Sequence, residues 1–541
     1  MAIIYQKDNR SGITYVYEAV YRWDKTKQQS RSKRTLIGRL NETSGEIVPT
    51  DGRNKNKHKD PAKPKPSKRG PKPSPVVKHQ YYGATYLLDK ISEQLGITAD
   101  LQNCFPDTYK QILSIAYYLI LEDSNPLYRF EKWHLTHAHP YGEDIPSPRS
   151  SDLFSSITDN DIASFCRLQG KRRIEKEYLA YDSTSISSYS DCLRQIQYGR
   201  NKEYDHLPQL NLLLVFGEES GLPFYYRKLA GNIPDVKTVK SLLAELDVLG
   251  LNKVKLVMDR GFYSVSNING LLKEHLKFLV GVKTNVKVVN QALETAHESI
   301  RDFRNFNATM NTYGITVPTD WDYTMARPYK GDVIAAKKHV YLQLFYNLDK
   351  GTEDEIAFDK RIAALYNELQ TDKRIAAHEK QYKQFFTVKR TPKRGIQIVI
   401  KEEELKKARR YFGYFALITN DKMDAFTALK TYRMKDVVEK AFGNIKERLN
   451  MRRLLVSSER SLEGKLFVEF VALILISAIH KQLQDAEIYK KYSMHQVLDK
   501  LDVIECFEAP GCKTRIGEVL KEQTDLYEMM GVKPLTSSCV G

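Results

Sequence analysis

The feature that most constrains this chain is an ordered succession of apolar runs between residues 177 and 283. "EYLAYDSTSISSYS" (177–190), "PQLNLLLVFG" (208–217) and "LPFYYRKLAG" (222–231) read as strands, with "EESG" turning the chain between the last two. "DVKTVKSLLAELDVLG" (235–250) has helical spacing and leads into a fourth strand, "NKVKLVMDRGFYS" (252–264). A short helix, "NINGLLKEHL", and a fifth strand, "KFLVGVK" (277–283), follow. Three strands, a helix, a strand, a helix and a strand predict a mixed α/β sheet covered by helices. The pattern is interrupted over 284–408 and resumes with the apolar "YFGYFALITN" (411–420).

Two aspartates stand out in these runs. Asp182 lies inside "LAYDSTSI", where a carboxylate is costly unless paired, hydrogen-bonded or bound to metal. Asp259 ends "VKLVMD" and is followed by "RGF", a sharp exit at the end of a strand, where open α/β sheets gather their ligands. Singly, each also fits a turn or cap residue. On neighbouring strands the two carboxylates would repel each other unless a cation lay between them. Hard oxygen ligands without thiolate or imidazole point to Mg²⁺ or Mn²⁺.

A third acid is offered by "TYRMKDVVEKAFGNIKERL" (431–449), which reads as an amphipathic helix. At about 100° per residue, Tyr432, Lys435, Glu439 and Lys446 share one narrow stripe beside the apolar stripe of Val438, Phe442, Ile445 and Leu449. From the helix alone, a solvated face laced by salt bridges is the preferred reading of these residues.

Lys+Arg total 84 against 67 Asp+Glu, a formal charge of +17 over 541 residues. Such an excess favours a polyanionic partner through phosphate neutralisation and counterion release. The longest apolar run, "LFVEFVALILISAI" (466–479), is too short to span a bilayer and predicts a buried helix, so no membrane partner is expected. The first residues lack the layout of a signal peptide. Six cysteines without a CxxC pair suit a reducing, cytoplasmic setting. "HLTHAHP", with His134, His137 and His139, reads as a surface turn.

Residues 1–51 read as a small β-rich unit, and 52–79 as a basic Pro/Lys-rich linker. Within that linker "PSKRGPKPS", with Lys68 and Arg69, resembles a minor-groove hook. Residues 80–176 are helical, a DNA-binding region by expectation. The sheet occupies 177–283 and resumes over 409–460, an insertion domain fills 284–408, and a helical region ends the chain over 461–541.

Together "YDSTSI", "VMDRGFYS" and "YRMKDVVEKAFGNIK" resemble the three motifs of DDE transposases from bacterial insertion sequences. More narrowly, they are similar to the branch whose third motif is Y-x2-R-x3-E-x6-K. Here that motif reads Tyr432, Lys435, Glu439, Lys446, with lysine in place of arginine at its second position. "LAGNIPD" also looks like a loop usual between the first two motifs. The resemblance covers roughly residues 175–285 and 410–455.

It implies an RNase H-like core with Asp182, Asp259 and Glu439 as catalytic residues holding two Mg²⁺ or Mn²⁺ ions. It also implies cut-and-paste transposition: cleavage at the element ends and transfer of the 3′-hydroxyl into target DNA. Tyr432, Lys435, Lys446 and Arg260 would contact that DNA. The implied partners are double-stranded DNA, as terminal inverted repeats and target, and a second copy of the chain in the synaptic complex. The separation of 180 residues (439 minus 259) leaves room for the insertion domain. A metal-dependent DNA nuclease without strand transfer, and a DNA-binding derivative without catalysis, remain as alternatives.

Overall fold

The structure, a computed structural model, describes residues 2–24, 27–50, 77–122, 125–172, 177–188, 193–199, 206–248, 254–326, 333–391, 395–435, 443, 449, 456, 458–509 and 513–536. The chain divides into two compact units, Met1–Ser74 and Pro75–Gly541. The first is a four-stranded antiparallel sheet of β1 (Ala2–Lys7), β2 (Thr14–Asp24), β3 (Gln29–Leu40) and β4 (Ile47–Val48), in that order. Among its described residues Val16 and Ala19 are the buried apolar ones, so the core they form is very small.

In the second unit β5 (Lys78–Tyr81) joins two short strands near the C-terminus. The main sheet follows: β6 (Tyr178–Ser187), β7 (Gln209–Gly217), β8 (Pro223–Ala230), β9 (Lys255–Met258) and β10 (Lys277–Val282). Beyond them come β11 (Phe306–Asn307), β12 (Thr312–Ala326) and β13 (Val333–Asn347). A separate hairpin, β14 (Phe386–Thr391) and β15 (Gly395–Ile400), precedes β16 (Tyr414–Thr419). The nine strands of the sheet run in the order β11-β12-β13-β16-β10-β9-β6-β7-β8. β6, β9 and β10 are mutually parallel, and every other pairing is antiparallel. The mixed sheet expected from the apolar runs is present. The stretch 284–408 supplies β11, β12 and β13 to that same sheet, and then the helices Leu348–Gln370 and Glu379–Phe385 and the β14–β15 hairpin.

Because side chains alternate across a strand, each strand feeds two cores. On one face Leu179, Tyr181, Leu256, Met258, Phe278 and Val280 pack with helices Asp235–Val248, Val265–Lys273 and Lys287–Ala296. On the other face Ala180, Ile186, Leu212 and Leu214 meet the N-terminal helices and the long helix Glu459–Asp485. Further along that second face, Val257, Leu279, Leu417 and Phe345 are covered by Ala425, Ala428 and Leu429 of helix Ala425–Met434.

The run 466–479 lies in the long helix and is buried almost throughout. Among the described residues no helix is long and apolar enough to cross a membrane. Burial pushes the Glu469 carboxyl in this helix up to about 7, an effect that Lys465, 3.7 Å away, partly offsets. "HLTHAHP" is not the surface turn that its polarity suggests. His137 is buried, stacked on Trp133, and its Nε2 meets Asp502 Oδ2 at 2.9 Å. Burial and the neighbouring histidines push His139 down to about 3. The rings of Tyr81 and Trp133 pack on His137, and those of Phe130 and Trp133 on His139, which shelters these imidazoles from solvent.

Candidate active site

Strand register brings the two aspartates together. In the parallel β6–β9 pair, Ala180 lies opposite Val257 and Tyr181 opposite Met258. One step further the same register sets Asp182 beside Asp259, where β9 has just ended. Adjacent strands lie about 4.8 Å apart, so the two carboxylates are immediate neighbours across the sheet. Asp182 shares its face with Ala180, and Asp259 with Val257, the face that helix Ala425–Met434 covers. Asp259 keeps an extended backbone and caps the short helical turn Arg260–Phe262. Strand alternation sends Ser183 to the opposite face, where its hydroxyl donates to Asp235 Oδ1 (2.5 Å) and ties β6 to the helix that Asp235 begins.

Helix Ala425–Met434 delivers the next groups. Asp424 caps its start by accepting from the N–H groups of Phe426 and Thr427. Ala425, Ala428 and Leu429, at helical spacing, seat it on the sheet. Tyr432 then falls in the last turn, and Lys435 is the C-cap. The helix thus starts six residues earlier (425 against 431) than the amphipathic pattern alone indicates. The Tyr432 hydroxyl donates to Asp259 Oδ1 at 2.5 Å, and Lys435 Nζ lies 3.9 Å from the same oxygen. Lys435 Nζ also sits 5.4 Å from the centre of the Tyr432 ring. Tyr432 therefore packs against the sheet and reaches the Asp259 carboxylate at once.

The electrostatics follow from these contacts. Burial pushes the Asp259 carboxyl upward, but the Tyr432 hydroxyl, the Lys435 ammonium and the Arg260 backbone N–H outweigh it. The group is held below its ordinary value and stays ionised. Burial and the charge of Asp259 push the Tyr432 phenol far above its ordinary range, so it remains a donor; the charge of Asp182 adds to that shift. Arg260 is exposed beside the pair.

Sequence reading missed one residue of this site, Gly281. It lies on β10 one position past Val280, which pairs with Met258, and so flanks Asp259 on the side away from Asp182. A Cβ built on Gly281 would lie 2.7 Å from the Tyr432 hydroxyl oxygen and 2.9 Å from the Arg260 nitrogen. An isolated glycine inside "KFLVGVK" was the available signal, since such a glycine often marks a close backbone or side-chain approach.

Glu439 and Lys446, and Lys68 and Arg69 of the linker, lie outside the described residues. Among the described residues no group of three or more His, Cys, Asp or Glu is placed to hold a metal ion. Asp182 and Asp259 nevertheless suit a hard divalent cation: both donors are carboxylate oxygens, they stand side by side, and Asp259 stays ionised although half-buried.

With this geometry in view, the family model "Transposase DDE domain" matches residues 174–475, more than half of the chain. The chain belongs to the DDE transposase domain family. The matched range takes in the strands that carry Asp182 and Asp259, the Tyr432 helix and most of the long helix that follows. As a member, this DDE-domain chain is a transposase-type enzyme whose partner is DNA. One solved structure similar to it is a cryo-EM structure of a piggyBac transposase synaptic complex with hairpin DNA. It is 13% identical, with a TM-score of 0.33, over 76% of this chain and 70% of that one. No curated protein matches the chain.

Proposed function

We propose that this chain is a cut-and-paste DNA transposase of a bacterial insertion sequence. In this reading it works in the cytoplasm, cleaving at the terminal inverted repeats and transferring the freed 3′-hydroxyl into target DNA. The observation that carries the reading is the single row formed by Asp182 on β6, Asp259 after β9 and Gly281 on β10, under the Tyr432 helix. Within the reading, 177–283 and 409–460 form the RNase H-like core, with β8-β7-β6-β9-β10 and β16 as its strands, 284–408 is the insertion and 80–176 a DNA-binding region.

Asp182, Asp259 and Glu439 are the residues that would hold two Mg²⁺ or Mn²⁺ ions. Such ions, when bound, activate the attacking oxygen and neutralise charge on the leaving one. The rest is done by the chain. Tyr432 fixes the Asp259 carboxylate in one orientation by donating to its Oδ1. Lys435 and Arg260 place positive charge beside the row, where a scissile phosphate would lie; Lys446 is assigned the same role. Lys68 and Arg69 would hold flanking DNA, and two copies would pair the element ends.

The test supplies purified protein and Mg²⁺ with labelled element ends and a supercoiled plasmid. Transposition yields joined end–plasmid products. Nicking without joining makes the protein a nuclease, and binding without either makes it a DNA-binding derivative.

A further inference from the structure

The N-terminal sheet carries an arm that its own fold leaves bare. Strand β1 accompanies β2 only as far as the pair Ala2–Ala19, and β4 touches β3 only at Arg39 and Leu40. Between these limits β2 and β3 continue as a two-stranded ribbon paired Val20–Lys33, Tyr21–Ser32, Arg22–Arg31, Trp23–Ser30 and Asp24–Gln29. A register shift at Val16/Tyr17 precedes the arm, a device that bends and twists a strand.

Cross-strand partners share a face, so the two faces of the ribbon differ. One carries Arg22, Arg31 and Lys33, the other Tyr21 and Trp23 among serines. Asp24 is the arm's acid, and Arg31 Nε lies 3.5 Å from its Oδ2. Setting Arg22 opposite Arg31 is unfavourable in an isolated ribbon, because like charges face each other. Val20, Tyr21 and Trp23 are large apolar side chains left in solvent. A polyanion relieves the first of these costs, and packing against a partner relieves the second.

We infer that the β2–β3 arm binds duplex DNA by seating in the major groove, with Arg22, Arg31 and Lys33 on phosphates or base edges. A two-stranded ribbon is one of the two elements that the major groove admits, and a groove about 12 Å wide takes an arm about 15 Å long. The inference rests on the transposase reading only for the source of the DNA. The matched family domain begins at residue 174 and leaves the arm unassigned.

The chain contains its own reporter. Of its three tryptophans, Trp133 and Trp321 are 3% and 5% exposed, whereas Trp23 is 61% exposed. Acrylamide quenching of the full-length protein therefore reads the arm. A mixed-sequence DNA duplex carrying a fluorescent label is the probe, titrated at several salt concentrations. Because Trp23 lies on the face opposite the arginines, it is expected to stay open to quencher when duplex binds, and shielding by duplex would mean that the aromatic face is the one that docks. Changing Arg22, Arg31 and Lys33 together to alanine is expected to weaken binding about 10-fold or more. The slope of log affinity against log salt should fall by about 0.9 for each phosphate that the variant no longer neutralises. The Arg22→Lys/Arg31→Lys variant, which keeps the charges, should retain the slope, and circular dichroism reports whether each variant folds.

Wild-type protein that nicks plasmid and in which duplex shields Trp23 docks by the aromatic face, which overturns the arginine-face assignment and leaves the transposase reading standing. An unchanged affinity and salt slope in the triple alanine variant does the same. Shielding of Trp23 without DNA, rising with protein concentration, gives the arm to a second copy and also overturns the assignment. An affinity and salt slope that fall in the triple alanine variant of a protein that never nicks with Mg²⁺ support the arm and reject the transposase reading.

Discussion

The Tyr432 hydroxyl donates to Asp259 Oδ1 at 2.5 Å, joining the last turn of one helix to the end of a strand 173 residues earlier. That hydrogen bond is what most counters the effect of burial on the Asp259 carboxyl, ahead of the Lys435 charge. Tyr432→Phe removes it and keeps the ring packing. Plasmid nicking is expected to fall, on the order of 10²-fold for a carboxylate freed to misalign. The depressed group loses its charge as pH falls through its folded value, so the loss is on the acid side. The acid limb of the rate profile should move to higher pH in the variant. A profile that keeps its acid limb would separate Tyr432 from Asp259.

Lys435 stands where the related motif has arginine. Its Nζ is 3.9 Å from Asp259 Oδ1, and its side chain is only 14% exposed. Lys435→Ala is expected to reduce nicking by removing a positive charge beside the row, and to lower the Mg²⁺ concentration needed for half-maximal rate, because the ammonium no longer repels a cation at Asp259. Lys435→Arg should retain most activity, with a planar fork suited to phosphate. Rates measured against Mg²⁺ and salt concentration distinguish the two.

Gly281 leaves the space that the Tyr432 hydroxyl fills. Gly281→Ala sets a methyl group 2.7 Å from that oxygen and should lower nicking at least as much as Tyr432→Phe does. In the Tyr432→Phe background the same change should cost less, since the hydroxyl is gone; the residual cost reports the approach to the Arg260 backbone. Fully additive effects in the double variant would show that the two positions act independently.

Glu469 makes a stability prediction away from the site. Its carboxyl is raised from 4.5 to about 7 by burial, so the native protein binds a proton more tightly than the unfolded chain does. The associated stability is fully present below about pH 4.5 and is lost as pH rises through about 7. Glu469→Gln, neutral at every pH, should show no comparable decline. The thermal midpoint of the variant relative to wild type should climb between about pH 5 and pH 8, as followed by calorimetry.

The elements of the site were legible in sequence, but their adjacency was not. Asp182 and Asp259 were visible because each breaks or ends an apolar run, and a carboxylate there needs a reason. That β9 lies beside β6, which precedes it by two intervening strands, is a property of sheet order, which local periodicity does not encode. Gly281 escaped notice because a glycine acts through what it lacks, and its neighbour Tyr432 is 151 residues away (432 minus 281). Strands β12 and β13 were harder still. The first half of β13 is mostly exposed, and in β12 the buried Trp321 and Tyr323 alternate with the exposed acids Asp320 and Asp322, which mask its apolar face. His137 was misread because imidazole polarity was weighed without the rings that enclose it.

The central claim is that Asp182 and Asp259 form one metal-holding site, and a plasmid-nicking assay tests it most directly. Supercoiled plasmid carrying the element's terminal repeats should be relaxed by wild-type protein in Mg²⁺ or Mn²⁺ and stay intact in chelator. Asp182→Asn and Asp259→Asn should each slow nicking on the order of 10³-fold, equivalent to several kcal/mol of transition-state stabilisation, with no change in fold by circular dichroism. Wild-type rates in either folded variant, or undiminished nicking in chelator, would contradict the account.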